Sequence, residues 1–465
     1  MNDKEMNPVN TVPPLQTKSS GRFPSPFGEG GQRPDEVRGA GGEVTAWLQR
    51  THGIWFTLYA SLAAFCLYTC VYAFRKTFAA ATFEGLIFAG ISYKVWLVTF
   101  QVIGYALSKF IGIKIISELK AHSRAFGILL MVSIAGVSWL LFALVPAPYN
   151  IVFLFFNGLP LGMVWGMVFG YLEGRRMTEV LGASLAVSFI FSAGLCRSVG
   201  AYLIRDWGTS EYWMPFVASC IFFVPLLLFL YLVNQLPPPS ALDEQLRTKR
   251  LPMNSEERKK FTATFLPGII LFVLAYVLLT AFRDFRDNFS AEIWKSLGFN
   301  NPSIYTSTEV PVSIAVLICM GSLMLIKNNK LALMVNHVII AFGMILIGTA
   351  NYLFEQTLVS PQVWMILVGL GLYLGYIPFN SIFFDRLIAT FQYASTVGFI
   401  MYVADSFGYL GSVGVLFFKE FGFAKLSWLN FFISGGYIVS VTGTILIFGS
   451  MAYFHYKHKS WKQSV

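Results

Sequence analysis

Charged residues are scarce in this chain. They make up 12% of its 465 residues, whereas a soluble domain usually carries about 25% because water must solvate its surface. This scarcity excludes the two or three soluble domains that the length alone would suggest. Hydrophobic residues account for 55% of the chain, and mean hydropathy is +0.61. The composition is typical of a protein surrounded mostly by lipid.

Several signatures of catalysis and cofactor binding are missing. The few cysteines all lie in apolar stretches, where they act as small hydrophobic residues and form no disulfide or metal framework. No Gly-x-x-x-x-Gly-Lys-Ser/Thr motif is present, which argues against ATP use. No His/Asp/Glu constellation of catalytic spacing occurs at a membrane face. We therefore predict that the protein is not an enzyme and has no catalytic residue, metal site or cofactor. The five cysteines are Cys66, Cys70, Cys196, Cys220 and Cys319.

The N-terminal stretch has little apolar sequence. Residues 1–45 are rich in Pro, Gly, Ser and charge and lack the apolar core of a signal peptide. Such a composition cannot bury enough apolar surface to fold. We therefore predict that residues 1–50 form a disordered cytoplasmic tail, either functional or dispensable.

Long hydrophobic runs, in contrast, fill the rest of the chain. Each has about the 20 apolar residues needed to cross a bilayer, and each must be helical because lipid offers no hydrogen-bond partner to the backbone. The twelve candidate spans are 52–80, 93–116, 123–145, 149–172, 178–204, 211–234, 262–288, 305–326, 331–353, 361–384, 390–418 and 427–456.

The spans fall into two groups of six. The polar stretch 235–261 separates a bundle at 51–234 from a bundle at 262–456, and residues 457–465 form a second cytoplasmic tail. A short echo, "GLPLG" at 158–162 and "GLYLG" at 371–375, supports an internal duplication. We thus predict an all-α integral membrane protein with twelve helices in two pseudo-symmetric six-helix bundles. Transporters of this design bind substrate between the halves.

The basic residues set the orientation. The central polar stretch and the loops on its side hold most Lys and Arg, so both termini are predicted to be cytoplasmic. The net charge of +10 is this topological signal and not a sign of nucleic-acid binding. The opposite loops together hold only Lys94, Arg205, Lys295, Lys419 and Lys425.

Two arginines occupy similar places in the first helix of each group. Arg75 lies in span one and Arg283 in span seven, and a buried ionisable group is costly unless it faces a cavity or a partner. Two opposed guanidinium groups suit phosphate or carboxylate oxygens. Alternatively, both side chains extend to the membrane interface, or Arg283 pairs with Asp287 one turn away.

Other intramembrane residues extend this predicted site. Lys109 in span two and Arg197 in span five are candidate substrate-binding cations, although Arg197 can instead pair with an acid. Asp405 in span eleven is a candidate for coupling or charge balance, as is Asp287; a static salt bridge is the alternative for Asp405. Tyr72 and Tyr105 lie near the charged residues and are predicted to line the same cavity.

Four segments resemble one family in order along the chain. They are "RKTFAAA" at 75–81, "GYALSKFIG" at 104–112, "FRDFRDNFSAEIW" at 282–294 and "FGYLGSVG" at 407–414. With them the chain resembles the major facilitator superfamily (MFS), and within it the organophosphate:phosphate antiporter branch. That branch includes the glycerol-3-phosphate and hexose-phosphate transporters.

The resemblance implies a specific function and location. Arg75 and Arg283 would be paired phosphate binders and Lys109 a cavity lysine, in a monomeric transporter of a bacterial inner membrane. Two features depart from the branch: Arg197 stands where a titratable histidine is usual, and the loop between helices two and three is degenerate.

The leading hypothesis is a secondary transporter that moves a small anionic solute, phosphorylated or carboxylated, by alternating access; the resemblance implies an antiporter. The alternative is a transporter-like membrane sensor of a phosphorylated ligand. A membrane enzyme acting on lipid phosphates is disfavoured by the missing catalytic constellation.

Overall fold

The computed structural model describes residues 42–118, 123–173, 175, 177–239, 255–391, 397–423 and 425–464. Helices dominate these ranges, and two short strands, β1 (Ile87–Phe88) and β2 (Ile91–Ser92), form an antiparallel hairpin. The helices are α1 Glu43–Arg50, α2 Gly53–Lys76, α3 Tyr93–Glu118, α4 Arg124–Leu144, α5 Val152–Leu172, α6 Thr178–Arg205, α7 Met214–Asn234, α8 Ser255–Ser296, α9 Ser303–Met324, α10 Asn329–Glu355, α11 Pro361–Ser381, α12 Phe383–Phe391, α13 Val397–Gly422, α14 Trp428–Ile438 and α15 Thr444–Ser464.

The spanning helices confirm the predicted all-α membrane fold. In the described ranges, ten segments are long and apolar enough to cross a membrane, with α14 and α15 joined into one of them by a π-helical turn at Val439–Gly443. Helices α3 and α13, of 26 residues each, occupy the other two positions. Helices α2–α7 form one half of the molecule, and α8–α15 form the other.

Local sequence signals begin several helices. Ser360 caps α11 by accepting a hydrogen bond from the backbone N–H of Val363, and Pro361 fills the first helical position. Ser427 caps α14 in the same way through the N–H of Asn430. These side chains satisfy amide groups that have no partner within the helix, so the loops between spans stay short.

Small residues let the helices of the first half pack closely. Gly104 of α3 and Gly158 of α5 face each other's helix, and a Cβ atom at either position would collide with a backbone carbonyl, that of Phe155 or of Gln101. Close backbone approach through glycine is a common way to pack helices in lipid. It fixes α3 against α5 beside the centre of the molecule.

The first spanning helix of each half breaks near one end. Helix α2 ends at Lys76 and continues as a 3₁₀ turn at Thr77–Ala80. Helix α8 has non-helical backbone angles at Phe289 (φ −114°, ψ 18°). Both breaks lie on the side of the molecule that carries the β1–β2 hairpin, which we call the far face. The opposite side, which carries α1 and the end of α15, we call the terminal face.

The N-terminal prediction is wrong for its last residues. Residues 43–50, predicted to be disordered, form α1, in which Leu48 is buried. The Thr45 hydroxyl donates to the backbone carbonyl of Gln235 at 3.0 Å, and the Trp47 ring packs against Tyr59. The apolar residues Trp47 and Leu48 and the hydrogen bond of Thr45 hold α1 against the first half. The composition averaged over the whole tail concealed this short segment. The rest of that tail lies outside the described residues, apart from Gly42.

Three predicted boundaries also need correction. Helix α8 begins at Ser255, inside the predicted loop 235–261, because Phe261 supplies apolar surface that is buried against the second half. The same helix continues past the predicted end of span seven at 288, to Ser296. Helix α15 runs through 457–464, which were predicted to be a tail. Residues 240–254 of the central stretch lie outside the described residues.

Candidate functional site

A central cavity lies between the two halves and encloses roughly 630 Å³ of space not filled by protein atoms, counted out to the open solvent. Its wall combines four cations, three carboxylates and eight aromatic residues. A largely aromatic wall with a few convergent charged groups is typical of small-molecule sites. The lining residues are Tyr68, Tyr72, Arg75, Lys76, Tyr105, Lys109, Trp165, Phe189, Arg283, Asp284, Asp287, Tyr373, Tyr376, Asn380, Met401, Asp405 and Tyr409.

The end of α2 places Arg75 at the cavity. Because the helix stops at Lys76, the carbonyl groups of its last turn need partners outside the helix. Gln101 donates its side-chain amide to the Arg75 carbonyl at 2.8 Å, and Asn157 and Trp139 donate to the carbonyl of Phe74 at 3.0 and 2.6 Å. These bonds from three neighbouring helices fix the backbone from which Arg75 projects.

The guanidinium group of Arg75 is buried and has no ion-pair partner among the described residues. It stacks on the Tyr105 ring, with Cζ 3.6 Å from the ring centre, and the residue is only 8% exposed. In the part of the chain that the structure describes, no side chain or carbonyl accepts a hydrogen bond from it, and its Nε atom is buried without a partner. A buried charge of this kind is costly unless something pairs with it.

Lys76 lies next to Arg75 and also lacks an acid. Its Nζ atom donates to the side-chain oxygen of Asn288 at 2.7 Å, across the boundary between the halves, and the residue is 4% exposed. Its bonded partner is therefore a neutral amide. Among the described residues, neither Lys76 nor Arg75 forms an ion pair, and the two adjacent side chains lie at the far end of the cavity.

Arg283 enters the cavity from the second half with a carboxylate already bound. Its Nε and Nη2 atoms donate to one oxygen of Asp284 at 3.1 and 2.7 Å, and Ser412 donates to the other oxygen at 2.8 Å. The guanidinium group stacks on Tyr376 at 4.2 Å, much as Arg75 stacks on Tyr105. The pairing of Arg283 with Asp287 that helical spacing allowed is replaced by this contact with Asp284.

Lys109 and Asp405 face each other across the cavity nearer its open end. Their closest atoms are 3.8 Å apart, a long ion pair, and Asp405 also accepts a 2.5 Å hydrogen bond from the hydroxyl of Tyr276. The predicted aromatic residues Tyr72 and Tyr105 line the same space, and Tyr105 packs edge-on against Tyr409 of the other half. The structure thus brings seven of the eight sequence-predicted site residues to one cavity wall.

Arg197 is the exception, because it lies behind the wall. It is 2% exposed, and its side chain makes polar contacts with three residues of the second half: Asp287 at 3.5 Å, Glu309 at 3.4 Å and the hydroxyl of Ser290 at 2.8 Å. The sequence prediction that Arg197 binds substrate is not supported by this placement. Its contacts instead match the alternative, a cation paired with acids.

Glu309 completes this buried cluster. One of its carboxylate oxygens accepts from Arg286 at 2.7 Å and contacts Arg197 at 3.4 Å. Asp287 is the member of the cluster that also reaches the cavity, where the hydroxyl of Tyr373 lies 3.4 Å from its carboxylate. Two arginines and two carboxylates therefore neutralise one another at the boundary between the halves.

Direct contacts between the halves close the cavity toward the far face. Lys94 of α3 forms a 2.7 Å ion pair with Glu292 of α8 and donates to the carbonyl of Ala79 at 3.2 Å. Its side chain is 1% exposed, although the sequence places Lys94 in an external loop. A second pair, Lys295 with Glu84, lies outside it at the exposed rim. Lys94 thus contacts the segments that follow both breaks, through Ala79 after α2 and Glu292 in the last part of α8.

We expect Lys94→Met to weaken this closure, because it leaves Glu292 buried without its cation. A cysteine at Thr77, which is fully buried behind the pair, should then react with a membrane-impermeant maleimide from the far face about tenfold faster or more. Lys295→Met in the same Thr77→Cys chain is the matched control, since an exposed pair contributes little. Equal rates in the two variants would contradict the assignment.

Sequence reasoning missed three residues that the structure brings to the site. Lys76 and Asp284 directly follow the predicted arginines. Lys76 lies four residues after Tyr72. Asp284 lies three residues before Asp287, so each shares a helix face with a predicted cavity residue. That spacing was the signal for both. Glu309 lies in an apolar span, where any acid is a functional candidate, so its presence in "TSTEVPVS" was the signal for the cluster with Arg197.

Two six-helix halves around a charged central cavity define the major facilitator fold. A family model described as a family of unknown function, DUF5690, matches residues 77–457. The chain belongs to this family. No curated protein matches the sequence.

Solved structures with the same fold are transporters. A D-xylose–proton symporter matches with a TM-score of 0.60 at 15% identity, covering 85% of this chain and 97% of that one. The nucleoside transporter NupG gives 0.54 at 13% identity, with 85% and 99% covered. A bacterial homologue of the human lysosomal transporter Spinster, inward-facing and unoccupied, gives 0.54 at 12% identity, with 88% and 98% covered. At these identities the likeness shows the fold.

Proposed function

We propose that the protein is a secondary transporter that carries a small organic anion, phosphorylated or carboxylated, by alternating access. The observation that carries this proposal is the buried Arg75 cation, beside Lys76, whose bonded partner is a neutral amide, at the end of a cavity lined by both halves. An anion bound there supplies a counter-charge to Arg75. A neutral sugar or nucleoside would supply none.

The shape of the site supports alternating access. The far end is closed by contacts between the halves, among them Lys94–Glu292 and Lys76–Asn288. From there the cavity extends to Lys109 and Asp405, whose side chains are 18% and 12% exposed and which lie toward the terminal ends of α3 and α13. Rocking of the halves would open the far face and close the terminal face around the same site. We place the terminal face in the cytoplasm because the basic residues favour that side. From the resemblance to the antiporter branch, we propose a bacterial inner membrane and a monomeric protein.

The wall also suggests how an organic anion is held. Arg75 and Arg283 each lie on a tyrosine ring, which orients the planar guanidinium group. One edge of Arg283 already binds Asp284, so Arg75 is the group that offers its edge to the oxygen atoms of a solute. The aromatic residues toward the open end, Trp165 and Phe189, offer apolar contact to the carbon part of the solute. The site therefore suits an anionic head on a small organic body.

The test is counterflow in liposomes that contain the purified protein and labelled phosphate. Release of label is followed after external addition of glycerol 3-phosphate, glucose 6-phosphate or succinate, with xylose and uridine as neutral controls. Release driven by an anionic solute but by neither neutral solute supports the proposal. Release driven only by xylose or uridine overturns the anion assignment. Anion binding without any flux would instead indicate a membrane sensor.

A further inference from the structure

Lys76 is the titratable member of the adjacent pair Arg75 and Lys76. Arginine keeps its proton in proteins, whereas a lysine that is buried and lies beside another cation can lose it. Lys76 is 4% exposed, and Arg75 precedes it directly. The 2.7 Å bond from Nζ to the Asn288 oxygen needs only one N–H donor, so a neutral amine makes it as well as an ammonium group.

The orientation of Asn288 supports this reading of the bond. Its side-chain nitrogen donates to the backbone carbonyl of Asp284 at 2.7 Å, which turns the amide oxygen toward Lys76. That oxygen is an acceptor without formal charge. The lysine is therefore held in place at the boundary of the halves without being held in its charged form.

The neighbouring acids are committed to other cations. On α8, both oxygens of Asp284 are occupied, one by Arg283 and one by Ser412. Asp287 pairs with Arg197 of α6. In the described part of the chain, no carboxylate lies within ion-pair distance of Lys76.

Two cations complete the surroundings of Lys76. They are Arg75 on its own helix and Arg283 on α8, whereas Lys94 of α3 is bound to Glu292. The positive groups oppose a charge on Lys76, and the two α8 acids favour it. An anion arriving at Arg75 shifts this balance toward the ammonium form.

Resting on the proposed function, we infer that Lys76 takes up one proton when the anion binds and releases it when the anion leaves, so that anion and proton move together. The proton goes to the Lys76 amine nitrogen, and the resulting ammonium group pairs with the bound anion. By linkage, anion affinity falls as pH rises through the range in which Lys76 titrates, by about tenfold per pH unit.

Proton uptake measured on the purified protein tests this inference. Glycerol 3-phosphate or succinate is added at pH 8 in a weakly buffered solution with an indicator dye, and protons taken up are counted per anion bound. Wild type should take up about one. Lys76→Arg, which keeps a permanent charge, should bind the anion with little uptake and without the pH dependence. Lys76→Met should lose at least tenfold in affinity.

A control and a competing variant separate this site from other titratable groups. Lys295→Arg, the same replacement at a lysine exposed at the far rim, should keep the proton uptake. Asp405→Asn tests whether the cavity carboxylate carries the proton instead. Unchanged uptake in Lys76→Arg, or uptake lost only in Asp405→Asn, overturns the inference while leaving anion transport standing. If neither probe binds the wild-type protein, the proposed function fails and this inference fails with it.

Discussion

Arg75→Met is expected to lower anion affinity by about two orders of magnitude or more while leaving the fold intact. Truncating one partner of a fully desolvated charge pair costs about 2–5 kcal/mol, and each 1.4 kcal/mol is about a tenfold change in affinity. Arg75 has the burial that places it in this class. Equilibrium binding of glycerol 3-phosphate or succinate, measured beside the counterflow rate, checks the loss.

The stability of the same variant separates binding from folding. Without a bound anion, Arg75 is a buried cation with no partner, which costs free energy of folding. We therefore expect the thermal unfolding temperature of Arg75→Met to equal or exceed that of the wild-type protein, as happens where a site sacrifices stability for function. Affinity and unfolding temperature that fall together would contradict this.

Arg75→Lys and Arg205→Gln are the controls. Arg75→Lys keeps the charge but loses the planar fork and the stacking on Tyr105, so it should recover part of the affinity. Arg205 lies at the exposed end of α6, paired with its neighbour Asp206, and its replacement should change neither quantity. Wild-type affinity in Arg75→Met would remove Arg75 from the site.

The order of the spans and much of the cavity wall were predictable from the sequence. A run of apolar residues near bilayer length crosses the membrane as a helix, because a helix satisfies its own backbone hydrogen bonds. The twelve spans therefore follow from the distribution of apolar residues along the sequence. Arg75 and Arg283 lie at matching depths in the first helix of each half, and Lys109 and Asp405 lie within their spans. Such residues converge on a central cavity because lipid excludes them.

The direction of a side chain around its helix was not predictable in the same way. Arg197 lies in a span like the others, but its face of α6 meets α8 and α9 instead of the cavity. Without the packing of neighbouring helices, sequence gives the depth of a residue but not its direction. For the same reason, the sequence suggested that Arg283 pairs with Asp287, whereas in the structure it pairs with Asp284.

Helix ends were predicted least well where polar sequence continues a helix. Helix α8 starts within "SEERKKF" and α15 continues into "HKSWKQ", since charged residues are good helix formers outside the membrane as well. Hydropathy marks where the lipid-compatible part of a helix ends, not where its hydrogen bonding stops.

Arg197→Met should be the most destabilising single change at the boundary of the halves. It leaves Asp287 and Glu309 with only Arg286 as a counter-charge inside the cluster, and removing one partner of a buried ion pair costs about 3–5 kcal/mol. The yield of monodisperse protein and its apparent unfolding temperature should both fall sharply. Arg205→Gln, at an exposed position of the same helix, serves as the reference.

A compensating change decides between a structural and a binding role for Arg197. In Arg197→Met combined with Asp287→Asn, the remaining Arg286 and Glu309 neutralise each other, so stability should recover by a large part of the loss. The cycle formed by the two single variants and the double variant should show coupling of 0.5 kcal/mol or more, the range of residues in one ionic network. If Arg197→Met is instead stable but binds no anion, Arg197 contacts the solute in another state of the transport cycle, as the sequence suggested.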